Sequence, residues 1–179
     1  MTTSASPKSE LPEIVLRAIS YSGRRHHGQM RKDRLTPYFA HPCRVLFILT
    51  HVFGVKDPEV LCAGVLHDTI EDTTTDFDDI AKEFNAKIAG WVSTLSKDKR
   101  MQEGPREEAF YRALAEAPVE VKLCKMADTL DNVCDAGGLT AAHGEKTRAK
   151  AEHLLEIFDG RIPAEWRHAY ETLRARVHA

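Results

Sequence analysis

The chain is 179 residues long, which suits one domain with a sizeable core. Hydrophobic residues make up 42% of it and charged residues 29%, ordinary values for a soluble globular protein. The net charge of −2 makes nucleic acid a poor candidate for the main partner. No apolar run approaches the ~20 residues that cross a bilayer. We therefore expect a cytoplasmic protein with a flexible tail at 1–10, a single domain at 11–179 and no membrane partner.

Hydrophobic spacing along the chain predicts helices throughout, joined by short loops. The expected helices lie at about 11–29, 42–53, 58–72, 77–84, 86–95, 106–117, 119–136, 144–158 and 164–177. Pro58 follows Asp57, the arrangement of an N-cap and a first helical residue. Residues 96–105 contain a Gly-Pro break and are expected to form an exposed loop, and Gly137-Gly138 to end the long helix before them. No strand pattern of useful length occurs, so the fold class is all-α, a helical bundle around one core.

One stretch, LCAGVLHDTIED at 61–72, concentrates groups that bind metal or move protons. His67-Asp68 ends an apolar helical run, and Glu71-Asp72 follows four residues later. On one continuous helix these pairs share a face, since positions four apart are neighbours. Buried carboxylates are costly unless they are paired or ligate an ion. We interpret the stretch as a functional site, against the simpler alternative of a capping aspartate beside a core histidine.

Asp128 and Asn132 form a second candidate pair, one turn apart on a helix whose neighbouring positions are apolar. The simpler alternative is a surface aspartate paired with Lys122 or Lys125. The sequence alone supports the functional pair and the surface ion pair about equally.

Two further candidates precede the organising stretch. His41 lies between Tyr38 and Pro42 at the start of a helix, where the backbone can aim it as a metal ligand; it could equally be packing on Tyr38. Arg31 and Lys32 lie in a basic loop and could hold phosphate or stack on a base. A solvated run of charges is the common alternative for such a loop.

These pieces, in this order, resemble the hydrolase domain of the RelA/SpoT family, a branch of the HD superfamily. The match is closest to the small stand-alone alarmone hydrolases, which are similar in having GQxRKD…TPYxxHPxxV, then LxAxxLHDTxEDT, then KxAD…xxN. The resemblance covers roughly Ser20 to Cys134. It implies an HD-domain bundle and a hydrolase without the family's synthetase domain.

The resemblance also implies roles for particular residues. It assigns a divalent ion, typically Mn²⁺, to four ligands: His41, His67, Asp68 and Asp128. It makes Glu71 and Asp72 the acidic pair that handles water and its proton. It places three residues at the nucleotide: Arg31, Lys32 and Asn132.

The implied reaction removes the 3′-diphosphate of guanosine tetra- or pentaphosphate, giving GDP or GTP and pyrophosphate.

Two positions depart from the family, which commonly has arginines where this chain has Thr129 and Cys134. Fewer basic groups should weaken the grip on a charged nucleotide. NADPH or another nucleotide is therefore an alternative substrate, and a non-catalytic nucleotide-binding module is an alternative function. The last two helices match the family least and are candidates for packing or for self-association into a homo-oligomer.

Overall fold

The computed structural model describes residues 12–136 and 140–179. Within these ranges every regular element is helical, apart from one isolated bridge between Met30 and Pro37. The α-helices are α1 (Glu13–Arg25), α2 (Ala40–Phe47), α3 (Pro58–Leu66), α4 (Thr69–Asp72), α5 (Phe77–Glu83), α6 (Ala86–Leu95), α7 (Glu103–Glu116), α8 (Val119–Asp135), α9 (Ala141–Phe158) and α10 (Arg167–Val177). A π-helix, Ile48–Val52, continues α2, and a 3₁₀-helix, Ala164–Trp166, precedes α10. The all-α prediction is confirmed.

Helix α3 lies at the centre of the bundle and packs against α1, α2, α6 and α8. All residues from Val60 to Leu66 are buried, as expected for a helix that is apolar on every side. The predicted start is confirmed, because the Asp57 carboxylate accepts a hydrogen bond from the Glu59 N–H at 2.8 Å. The C-terminal end of α3 thus delivers His67 to the interior of the bundle.

The prediction of one continuous helix through 58–72 is wrong. Helix α3 ends at Leu66, His67 and Asp68 form a turn, and α4 starts at Thr69. At the break, two side chains form hydrogen bonds with backbone carbonyls. His67 Nδ1 bonds to Gly64 O at 2.8 Å, and Thr69 Oγ1 donates to Leu66 O at 2.7 Å. These local bonds compete with the helical ones. The result is that the His-Asp pair lies between two helices.

Other helix boundaries differ from the predictions by a few residues. Helix α7 begins at Glu103, inside the expected loop, and contains Pro105 in its first turn. Proline is tolerated there because a first-turn N–H has no helical partner. Helix α1 ends at Arg25, earlier than expected. The expected tail at 1–10, the start at Leu11 and the end at Gly137-Gly138 lie outside the described residues.

One hydrophobic core joins the elements, with buried members from Val15 in α1 to Val177 in α10. This core includes residues from the last two helices, as the packing alternative for those helices predicts. None of the helices in the described ranges is both long and apolar enough to cross a membrane.

We predict that Gly64→Ala destabilises the fold. A Cβ at this position in α3 would lie 2.3 Å from Leu49 Cδ1, and Leu49 is fully buried. Overpacking of this kind costs about 1–3 kcal/mol, which exceeds the gain of up to ~1 kcal/mol in helix propensity. Chemical denaturation measures the difference.

Gly90→Ala in α6 is the matched control, because a Cβ there meets no atom within 4 Å. It should leave stability unchanged or raise it by up to ~1 kcal/mol. Equal effects of the two substitutions would contradict the packing argument.

Candidate metal centre

Two histidine rings meet inside the bundle. His41 lies in the first turn of α2 and His67 follows the end of α3, and both are almost fully buried. Their Nε2 atoms are 3.1 Å apart. One atom from each of these rings and an oxygen of Asp128, from α8, lie within 4.8 Å of one another. Three elements distant in sequence therefore present ligand atoms to one point.

Asp68 completes the group. Its Oδ2 is 2.9 Å from His67 Nε2 and 3.5 Å from His41 Nε2. Asp128 Oδ1 lies 3.1 Å from His41 Nε2 and 3.6 Å from His67 Nε2. The structure thus brings together all four residues for which the resemblance implied a ligand role.

The opposite side of each imidazole is held by a hydrogen-bond acceptor. His67 Nδ1 lies 2.8 Å from the carbonyl oxygen of Gly64, and His41 Nδ1 lies 2.6 Å from Asp131 Oδ2. With a proton on Nδ1 to satisfy each of these acceptors, a neutral ring would have its Nε2 free to bind a metal. Such outer partners orient metal-binding histidines in many proteins. Asp131 was missed in the sequence, although its spacing of three residues from Asp128 places both on one face of α8.

The donor set fits a divalent ion. The two Nε2 atoms lie 3.1 Å apart with carboxylate oxygens beside them, so the point between them favours a positive charge, either a proton or a metal ion. Burial opposes such a charge on the rings, but the carboxylates of Asp68 and Asp128 hold the pKa of His67 well above its usual value, and that of His41 is also raised. The centre therefore attracts a cation, and mixed imidazole and carboxylate ligands suit first-row divalent metals.

Asp128 has two further contacts, both from α8. Lys125 Nζ donates to its Oδ2 at 2.6 Å, and Asn132 Nδ2 donates to its Oδ1 at 2.6 Å. The lysine contact considered in the sequence therefore exists, yet Asp128 is buried and faces the histidines, so it is not a surface pair. Burial would raise the pKa of Asp128, but Lys125 and the two imidazoles hold it well below its usual range. The carboxylate stays ionised, as a ligand must.

The acidic pair of α4 lies beside the centre in two different environments. Glu71 Oε2 accepts from the Lys97 N–H at 2.9 Å. Asp72 accepts from Lys99 Nζ at 2.8 Å and from the Tyr38 hydroxyl at 3.1 Å. The single proton of this hydroxyl is shared with Asp68 Oδ2, which lies closer at 2.5 Å, so Tyr38 links the centre to the pair.

The surroundings of Glu71 also change its affinity for a proton. Burial raises the pKa of Glu71, opposed by the Lys97 N–H and reinforced by the charges of Asp68 and Asp72. Lys99 lies against Asp72 instead and balances its charge. Glu71 therefore has a higher affinity for a proton than an ordinary exposed glutamate.

A cleft of about 350 Å³ opens onto Asp128 and carries a high density of positive charge. Its walls include five lysines, from the loop before α2, the loop before α7, α8 and α9: Lys32, Lys97, Lys125, Lys146 and Lys150. Apolar side chains of Phe110, Tyr111 and Leu154 line the remainder. Lys97 pairs with Glu107 and Lys125 with Asp128, whereas Lys32, Lys146 and Lys150 have no carboxylate partner among the described residues.

The lysines of the cleft affect one another. Burial and the neighbouring cations Arg31 and Lys146 lower the pKa of Lys32. Burial and Lys97 act in the same direction on Lys150. Mutual repulsion of this kind is relieved when a polyanion binds.

A second pocket, of about 250 Å³, adjoins the cleft and shares Lys32, Asn132 and His143 with it. Arg31 lies in its wall, where Nη2 donates to Asn132 Oδ1 at 3.1 Å and to Asp135 Oδ2 at 2.8 Å. The three residues expected at the nucleotide are therefore neighbours of the centre.

Sequence reasoning did not identify the contribution of α9. Lys146 and Lys150 are four residues apart, so they share a helix face, and His143 lies one turn before Lys146. That pattern was available, but nothing in the sequence says which element the face meets. The packing of α9 against α7 and α8 turns it toward the cleft.

Comparisons with known proteins agree with this geometry. The family described as HD domain matches residues 18–160. Guanosine-3′,5′-bis(diphosphate) 3′-pyrophosphohydrolase MESH1 of Homo sapiens is 37% identical over 127 residues, 70% of this chain and 71% of that protein. This chain belongs to the HD-domain family.

Two other comparisons show which HD-domain proteins it resembles. A guanosine-3′,5′-bis(diphosphate) 3′-pyrophosphohydrolase of Aquifex aeolicus is 33% identical over 149 residues, 82% of this chain but 20% of that longer protein. The solved structure of a metazoan ortholog of SpoT that hydrolyses ppGpp has a TM-score of 0.78, with 27% identity, over 97% of this chain and 98% of that one. The predicted HD-domain bundle and the RelA/SpoT resemblance are confirmed.

We predict that Asp128→Ala removes most of the affinity for Mn²⁺, because a buried ionised ligand is lost from the centre. The loss should exceed the ~10–100-fold that is typical of an outer partner. Titration followed by the electron paramagnetic resonance signal of free Mn²⁺ measures it.

Asp78→Ala, which alters an exposed aspartate of α5, is the control and should bind Mn²⁺ as the unmodified protein does. Retained affinity in Asp128→Ala would remove this residue from the ligand set.

Proposed function

We propose that this HD-domain protein hydrolyses guanosine 3′,5′-bis(diphosphate), releasing pyrophosphate from the 3′ position and leaving GDP. Guanosine pentaphosphate would give GTP in the same way. The main observation in support is that the candidate His-Asp metal centre adjoins a cleft lined by five lysines, and that Asp128 belongs to both. The names of the relatives in Homo sapiens and Aquifex aeolicus support this reaction.

The substrate is a nucleotide with two diphosphate groups, and the site matches that charge distribution. The lysine-rich cleft can hold one diphosphate while the other lies at the centre. Arg31 in the adjoining pocket offers a planar guanidinium, which binds phosphate in a bidentate manner or stacks on a base. Fixing both ends of the nucleotide places the scissile phosphorus for attack.

We assign the ion to His41, His67, Asp68 and Asp128. When bound, a divalent ion lowers the pKa of a coordinated water and neutralises charge on the phosphoryl group. The ligands leave coordination positions open for water and substrate, since ions such as Mn²⁺ accept about six ligands. Mn²⁺ is our proposal for the ion.

The structure favours separate roles for the two acids that were expected to act together. Glu71, with its raised pKa, accepts the proton of the attacking water. Asp72 holds Tyr38, whose hydroxyl also bonds to Asp68. Burial and Asp68 raise the pKa of Tyr38, so the phenol stays protonated and donates. Asp72 therefore acts by positioning, and Glu71 by proton transfer.

The remaining expectations concern the setting of the protein. That 11–179 act as one domain, that the protein acts in the cytoplasm, and that it forms a homo-oligomer stay predictions. So does the absence of a nucleic-acid partner.

The decisive assay incubates the Mn²⁺-loaded protein with ppGpp and identifies the products. We expect GDP and pyrophosphate. Release of orthophosphate instead, or turnover of NADPH with none of ppGpp, would overturn the substrate assignment.

We predict that Lys146→Ala and Lys150→Ala each raise KM for ppGpp about tenfold and change kcat little. Each removes a cation that contacts bound phosphate, and a hydrogen bond to a charged group is worth about 1.5–3 kcal/mol. Lys82→Ala, on the exposed face of α5, is the control. An unchanged KM in both cleft variants would place the phosphates elsewhere.

Glu71→Gln should lower kcat by about 10²–10⁴-fold and leave Mn²⁺ affinity unchanged, because only the proton acceptor is lost. In the unmodified protein, activity should fall as the pH decreases through the raised pKa of Glu71, since the base must be ionised. This acidic limb lies at higher pH than an ordinary glutamate would give, and it should disappear in Glu71→Gln. Glu108→Gln, an exposed site on α7, should retain both rate and profile. A native rate in Glu71→Gln would assign the base to another group.

A further inference from the structure

Arg44 lies on α2, three residues after His41, and donates two hydrogen bonds to the carboxylate of Asp131. Its Nε donates to Oδ1 at 2.6 Å and its Nη2 donates to Oδ2 at 3.0 Å. Two parallel bonds from one guanidinium fix both the position and the plane of a carboxylate. Asp131 Oδ2 in turn lies 2.6 Å from His41 Nδ1. A continuous chain of contacts therefore runs from Arg44 to an imidazole of the centre.

We infer that Arg44 is a positioning residue for the metal centre, acting through Asp131 to keep His41 Nε2 aimed at the ion. The inference rests on the metal site proposed above. It assigns no contact between Arg44 and the ion or the substrate.

The position of Asp131 explains why such a clamp is needed. Asp131 is 3% exposed and lies three residues from Asp128 on α8, so two buried carboxylates share one helix face. Like charges this close are unfavourable unless a cation compensates them. The Arg44 guanidinium supplies that charge, and its own side chain remains 37% exposed. Burial would raise the pKa of Asp131, but His41 and Arg44 lower it, so it stays an ionised acceptor.

The surroundings contain a competing partner for Asp131. Arg31 Nη2 is 4.0 Å from Asp131 Oδ2 and is already bonded to Asp135 at 2.8 Å. Arg44 Nη2 also reaches Asp135, at 3.2 Å. Without Arg44, Asp131 would be free to rotate toward Arg31 and away from His41.

The sequence of α8 supports a role for a residue from another helix. Helix α8 contains no arginine of its own. Cys134 is exposed and lies 3.3 Å from Arg176 Nε, which comes from α10. The guanidinium on Asp131 therefore comes from α2, the helix that also carries His41.

The test measures Mn²⁺ affinity, with Mn²⁺ alone as the probe, by the resonance signal of the free ion. We expect Arg44→Ala to bind Mn²⁺ at least tenfold more weakly, the lower end of the range for outer partners. Arg44→Lys should recover part of the loss, because an ammonium reaches one carboxylate oxygen but cannot hold both. Arg112→Ala, which removes an exposed guanidinium of α7, is the matched control.

A double-mutant cycle separates positioning from a general loss of stability. In an Asp131→Ala background, Arg44→Ala should have little further effect on Mn²⁺ affinity, since the pathway is already cut. Full additivity of the two losses would overturn the inference. So would native affinity in Arg44→Ala. Thermal unfolding of each variant is measured first, and the Mn²⁺ titrations are made at a temperature where every variant is folded. If Arg44→Ala does not fold, the weaker Mn²⁺ binding is tested in Arg44→Lys instead.

Failure of the proposed function gives a different pattern. If the unmodified protein and His41→Ala bind Mn²⁺ equally, the metal site itself is wrong. If the unmodified protein binds and His41→Ala does not, while Arg44→Ala binds normally, only the role of Arg44 is wrong.

Discussion

The structure depends on a buried cluster of two imidazoles and two carboxylates that favours a positive charge at its centre. The Nε2 atoms of His41 and His67 lie 3.1 Å apart in the core, and each Nδ1 lies against an acceptor, Asp131 or the Gly64 carbonyl. Buried carboxylates are costly unless they are paired or ligate an ion. The cluster is intelligible as a preformed ion site, whose outer hydrogen bonds set the ring orientation before the ion arrives.

The bundle places charges of opposite sign on two sides of that site. Carboxylates gather around the histidines, and five lysines line the adjoining cleft, so a divalent ion and a polyanionic nucleotide are both favoured at neighbouring positions. Direct contacts between the two groups, such as Lys125 with Asp128, keep the acids ionised. The same arrangement explains why a chain with a net charge of −2 can bind a highly charged anion: local charge decides binding, and the total does not.

The acidic pair shows how environment separates chemically similar residues. Glu71 accepts a hydrogen bond from a backbone N–H and lies near two carboxylates, whereas Asp72 accepts hydrogen bonds from Lys99 and Tyr38. The raised pKa of Glu71 follows from its burial and its carboxylate neighbours, and not from its residue type. The sequence presents the two acids as equivalent neighbours. The difference between them arises from Lys97 and Lys99, 26 and 27 residues further along the chain, and from Tyr38, 34 residues before Asp72.

The sequence by itself determined the helical class and most helix positions, and its resemblance to the RelA/SpoT family implied the grouping of His41, His67, Asp68 and Asp128 as one candidate centre. These rest on local periodicity, on capping and on motifs with fixed spacing. Only the tertiary structure decided the break at His67, the support from Asp131 and Arg44, and the lysines of α9. The break depends on side-chain bonds to carbonyls that compete with the helix, and the other features depend on how distant helices pack. Packing of distant elements is not encoded in any single stretch of residues.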